Sequence, residues 1–63
     1  MANKLKEVRE AQGISVSELA RISDVSRMTI WKLENGTPQS PTVRTLQKIA
    51  DALRVPIHEL FDI

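Results

Sequence analysis

The sequence predicts an all-α fold, five short helices packed as a single domain over residues 1–63. Three observations predict it. Apolar residues recur at spacings of three and four along most of the chain, the repeat of one helix face. Ser15, Ser26 and Ser40 or Thr42 each stand where a run of this kind begins, and Gly13 and Gly36 stand where one ends. No stretch stands out as a strand candidate, and there is no internal repeat or low-complexity tract.

Helix one is expected from Lys4 to Gln12, where Leu5 and Val8 lie inward between Lys6, Glu7, Arg9 and Glu10, and Gly13 stops it. Ser15-Val16-Ser17-Glu18 has the form of a capping box, in which hydroxyl and carboxylate each satisfy an amide donor at a helix start. Leu19, Ala20 and Ile22 would be the inward residues of that second helix. Ser23-Asp24 interrupts, Ser26 caps a third helix running from Arg27 to Asn35, and Gly36 ends it. The segment Thr37-Pro38-Gln39-Ser40-Pro41 reads as a loop, because its prolines cannot sit inside a helix. The fourth helix follows, with Val43, Leu46, Ile49, Ala50 and Leu53 inward and Arg44, Gln47, Lys48 and Asp51 outward. Pro56 opens the last, from Ile57 to Phe61, with Ile57, Leu60 and Phe61 apolar.

Composition excludes several classes of function. There is no cysteine and one histidine, His58, so neither a thiolate metal site nor an imidazole cluster can form. The same shortage leaves the Ser and Thr hydroxyls without an acid–base partner set, which argues against an enzyme, and no cofactor or metal is expected. No apolar run approaches the roughly 18 residues of a membrane span, and the start of the chain lacks a signal-peptide apolar region; a cytoplasmic protein is expected. The formal charge is only +1, so an argument for a polyanionic partner must rest on where the charges stand.

Their placement is informative in residues 15–35. Two short helices joined through Ser23-Asp24-Val25 need a small residue where they touch and a turn residue that tolerates positive φ; Ala20 and Asp24 stand at those places. With Val25, Ile30 and Leu33 inward, the pair fits a helix-turn-helix of the DNA-binding type. At about 100° per residue, Arg27, Met28, Trp31, Lys32 and Asn35 fill the arc opposite Ile30 and Leu33. Arg27 can bond guanine bidentately, Met28 can lie against a thymine methyl, and Lys32 and Asn35 can meet phosphate or base edges. The amides at Ser26 and Arg27 add a partial positive charge suited to phosphate.

The sequence Leu5-Lys6-Glu7-Val8-Arg9, Gly13-Ile14-Ser15, Glu18-Leu19-Ala20, Val25 to Ile30, Leu33-Glu34-Asn35-Gly36 and Leu46 to Leu53 resembles the lambdoid phage repressor and Cro (XRE-type) family of transcriptional regulators. The resemblance covers essentially the whole chain. It implies a lambda repressor-like five-helix domain that binds operator DNA, usually as a homodimer on palindromic half-sites, with the third helix reading bases. It also implies a structural ion pair between Arg9 and Glu34. Many members carry Gln at the place of Val16, where it holds a phosphate; here Ser15 must serve alone or with backbone amides. The loop after helix three, often basic in the family, is uncharged in this chain, with Ser40 as its candidate DNA contact. These departures imply few phosphate contacts and poor binding by a monomer.

Other roles compete for several residues. Trp31 can be a surface-packing residue, an anchor for a protein partner, or a DNA contact; Met28 can simply fill a gap. A protein-interaction module of antitoxin type, using Met28 and Trp31 on the same fold, is the alternative to DNA-binding transcriptional regulation, most simply repression at a promoter. Lys4, Lys6, Arg21, Lys48 and Arg54 read as solvated surface, Arg44 as either surface or contact, and His58 as without special role. Ile57 and Leu60 are assigned to the core, whereas Phe61 and Ile63 are the candidates for a two-fold contact with a second copy. Both a complete Cro-like protein and a fragment of a longer repressor fit the sequence.

Overall fold

The computed structural model describes residues 3–36 and 41–62. Five helices follow in chain order: α1 (Leu5–Ala11), α2 (Val16–Ser23), α3 (Arg27–Glu34), α4 (Val43–Leu53) and α5 (Ile57–Leu60). Among the described residues there is no strand; the single β-type pairing is an isolated bridge between Asn3 and Phe61. The core joins Leu5, Leu19, Val25, Ile30, Leu33, Leu46, Ile49, Ala50, Leu53, Leu60 and Phe61, with α2 packed chiefly on α4 and α3.

The helix ends follow from local chemistry. Ser15, Ser26 and Thr42 each take an extended conformation and accept, through the side-chain oxygen, the backbone N–H of Glu18, Thr29 and Thr45 respectively. Of the two possible helix-four caps, Thr42 is thus the one in use; Ser40 lies outside the described residues. The Ser15 start is only half a capping box. The Glu18 carboxylate turns forward to the Arg21 guanidinium, Oε2 and Oε1 lying 2.9 and 2.6 Å from its nitrogens, because that charge-assisted pair lies one turn along the same exposed face.

At their C-termini, α1 and α4 close alike. Gly13 (φ 69°) and Arg54 (φ 60°) are left-handed, and the next residue donates back across the turn, Ile14 N–H to Arg9 O at 3.2 Å and Val55 N–H to Ala50 O at 3.1 Å. Arg54 takes a conformation that favours glycine, so the end of α4 carries no glycine signal in the sequence. Gln12 Nε2 donates to Leu53 O at 2.8 Å and ties the end of α1 to the end of α4.

Four sequence expectations are corrected. Ile22 is 40% exposed, whereas Ser23 is buried. The stripe of α2 that meets α4 and α3 runs through Leu19 and the residue four further on, which leaves Ile22 on its flank. Val43, expected inward, is 63% exposed, because it occupies the first position of α4, before the packed stripe of Leu46, Ile49, Ala50 and Leu53 begins. The last helix ends at Leu60, and Phe61 takes an extended conformation (φ −126°, ψ 141°) opposite Asn3. Phe61 is also 1% exposed, so it belongs to the core of one copy and cannot serve as a contact with a second; Ile63 lies outside the described residues.

Candidate nucleic-acid interface

Helix α3 is fixed at both ends before its outward face meets anything. At its start, Ser26 Oγ accepts the Thr29 N–H at 3.1 Å and donates to Thr29 Oγ1 at 2.9 Å. Asp24, left-handed at φ 58°, makes the turn that brings this start off the end of α2, and Val25 is buried beneath it. At its end, Glu34 receives Arg9 Nε on Oε2 at 2.6 Å and Arg9 Nη2 on Oε1 at 3.0 Å, both side chains being almost fully buried. Arg9 Nη1 also donates to Ile14 O at 2.7 Å. The hydrogen bond to Glu34 holds the guanidinium above its ordinary pKa despite the opposing effect of burial, so a charged pair is locked between α1, the α1–α2 turn and α3. Asn3 Nδ2 adds a bond to Leu33 O at 3.1 Å. Together with Ile30 and Leu33 in the core, these contacts leave α3 one orientation on the body of the protein.

The face this orientation presents is mixed. Arg27, Met28, Trp31 and Asn35 are exposed, Met28 at 61% and Trp31 at 52%, while Lys32 is half-buried. Val16, at the start of α2, comes beside them: Val16, Arg27, Met28 and Trp31 line one shallow apolar cleft. Arg27 reaches from α3 toward α2, its Nη1 lying 3.4 Å from Ser17 Oγ, a long contact that leans the guanidinium across the mouth of the motif. Asn35 commits an amide hydrogen to Trp31 O at 2.8 Å, closing the helix end with its own side chain.

The hydroxyls expected to meet DNA divide. Ser15 is exposed and accepts the Glu18 amide, which leaves its own proton to donate; Ser26 already donates to Thr29. Ser40 lies outside the described residues. Ser17 carries no sequence signal beyond its place two residues after a helix cap. The sequence marks Val16 only as the place of a missing glutamine, whereas in the structure it forms one wall of the cleft.

No group of His, Asp and Glu residues able to hold a metal is found among the described residues. What α3 and its C-cap present is two cations, the exposed Arg27 and the half-buried Lys32, with two large apolar side chains and the Asn35 amide, on a helix of eight residues whose first turn has free backbone amides. A model of the helix-turn-helix family matches residues 5–60. The chain belongs to the helix-turn-helix family.

Within this helix-turn-helix family, the chain is 40% identical over 57 residues to the HTH-type transcriptional regulator RghRB of Bacillus subtilis, a match covering 90% of this chain and 41% of that protein. The chain thus spans less than half the length of that relative. In the crystal structure of the biofilm regulator SinR in complex with DNA, the helix-turn-helix domain is similar with a TM-score of 0.81 at 29% identity, covering 87% of each chain. The complex of SinR with the SinI protein gives a TM-score of 0.85 at 30% identity, over 94% of this chain and 57% of that one.

Proposed function

We propose that this chain binds double-stranded operator DNA in a sequence-specific manner and regulates transcription, most simply repressing a promoter by occupying it. The observation that carries the proposal is the seating of α3. Its inward residues and both of its ends are held by the body of the protein, and its outward face carries Arg27, Met28, Trp31 and Asn35 in the arrangement a major-groove reader needs. SinR, whose fold is closely similar, has been crystallised with DNA, which supports a DNA-binding role for this fold.

In this reading Arg27 donates to the O6 and N7 of a guanine, Met28 and Trp31 pack on base edges, and Lys32 supplies a second cation. Ser15, through its hydroxyl proton, and the amides at the start of α3 meet phosphate oxygens. An eight-residue helix is about 12 Å long and reads only a few base pairs. We therefore infer that two copies act together on palindromic half-sites, with their α3 helices about 34 Å apart on one face of the duplex. The buried Phe61 takes no part in pairing them.

Because Trp31 is the single tryptophan and lies on the proposed interface, its fluorescence reports binding directly. Titration with duplex DNA of random sequence is expected to quench or shift the emission at low salt and to do so less at moderate salt. The absence of any salt-sensitive change would reject the proposal. A response to protein partners alone would favour the second reading, in which Met28 and Trp31 dock a protein; the similar SinR has been solved in complex with the SinI protein.

A further inference from the structure

The cleft formed by Val16, Arg27, Met28 and Trp31 joins two helices of the motif, and its walls are apolar apart from the guanidinium at its edge. Such a surface offers a base no hydrogen-bonding partner except at that edge. On the major-groove edges of the four base pairs, one apolar group projects far enough to fill such a cleft, the C5-methyl of thymine; cytosine has only a C–H at that place, and the donors and acceptors of the other positions would lose hydration against these walls. Arg27 leans over the same opening from α3 toward Ser17, so a base whose methyl enters the cleft would lie beside the base whose edge the guanidinium meets. Met28 and Trp31, 61% and 52% exposed, are large apolar side chains left in water by the fold itself, and the cleft is continuous with the face proposed to meet DNA.

Resting on that DNA-binding reading, we propose that Val16, Met28 and Trp31 form a reader for the C5-methyl group of a pyrimidine, placed next to a guanine held by Arg27. The recognised chemistry is the methyl group, not the rest of the thymine edge. Thymine supplies it in ordinary DNA, and 5-methylcytosine carries the same group at the same place in the groove. Enzymatic C5-methylation of cytosine in an operator would therefore create this contact where unmodified cytosine lacks it. Met28 suits the role because its unbranched thioether adapts to the group it covers, while the flat indole of Trp31 forms a fixed wall.

The test begins with the duplex most enriched by the 63-residue chain from a random pool, each thymine replaced in turn by deoxyuridine, with Trp31 emission as the readout. One thymine per half-site, next to a guanine, is expected to lose affinity about three- to four-fold on losing its methyl. At that position a cytosine is expected to bind weakly and 5-methylcytosine to recover a comparable factor. Met28→Ala, at an exposed position, and Val16→Ala, at a half-buried position on the edge of the core, are expected to erase the thymine–deoxyuridine difference while keeping the preference for the neighbouring guanine. Equal binding of every deoxyuridine duplex overturns the proposal while leaving DNA binding intact. Persistence of the methyl effect in both variants overturns its assignment to this cleft. If no duplex is enriched or bound, and the cleft takes a protein instead, the DNA-binding reading falls and this proposal with it.

Discussion

Two arginines in this chain show how burial decides what one side-chain type does. Arg9 is enclosed, bonded to Glu34 through two nitrogens and to Ile14 O through a third, so its charge is committed to holding α3 in place. Arg27 is exposed, with one long contact to Ser17, and keeps most of its donors for another molecule. Opposite mutational signatures follow. Glu34→Ala leaves a buried guanidinium without its partner and is expected to destabilise the domain by about 3–5 kcal/mol, read by urea denaturation followed at 222 nm. Unchanged denaturation would remove the structural role assigned to the pair. Arg27→Ala is expected to leave denaturation unaltered and to relax preference at one base pair by about 1–3 kcal/mol. A uniform loss over all sequences would make Arg27 a phosphate contact instead. Periodicity places Arg27 outward, but 25 residues separate Arg9 from Glu34, and only the family resemblance put those two together. The approach of Ser17 to Arg27 was not legible at all, since it depends on the angle between two helices.

At the scale of helices, starts were more legible than flanks. A hydroxyl before an apolar run marks a cap because the free amides of the first turn need an acceptor, and that requirement is local. Which side residues of a stripe are covered depends on the neighbouring helix, so Ile22 and Val43 read as inward yet are exposed. Thr42→Ala removes the acceptor for Thr45 N–H at the start of α4 and is expected to cost about 1 kcal/mol, read as a lower urea midpoint. Ser23 is buried at the end of α2, and its Oγ finds no hydrogen-bond partner among the described residues. Ser23→Ala is therefore expected to stabilise by about 1 kcal/mol in the same assay, and a loss of stability would mean the hydroxyl is satisfied. The exposed Glu18–Arg21 pair is of a different kind. The hydrogen bond from Arg21 holds the Glu18 carboxyl below its ordinary pKa, so what the pair adds is present above the usual carboxylate range and fades as pH falls through the lowered value. Glu18→Gln is expected to move the urea midpoint at neutral pH less than Thr42→Ala does.

Across the whole molecule, the two ends of the described chain meet, Asn3 bridging to Phe61 and Lys4 N–H donating to Leu60 O at 2.9 Å. This closure takes Phe61 into the core, an outcome the sequence could not show because a terminal aromatic residue suits a core and an interface equally well. The proposed contact with DNA lies on α2 and α3 and offers a few donors, two cations and an apolar cleft. With so few phosphates neutralised by each copy, the dependence of binding on salt should be shallow, a slope of about −0.9 for each phosphate contacted, and specificity must come from fit and from pairing two copies. The most direct measurement is therefore selection from a random duplex pool by the intact chain and by Arg27→Ala in parallel. Specific operator recognition through α3 predicts a two-fold symmetric motif with half-site centres about one helical turn apart, and the loss of one guanine preference per half-site in the variant. A pool that emerges without sequence preference, or an identical motif from both proteins, would contradict it.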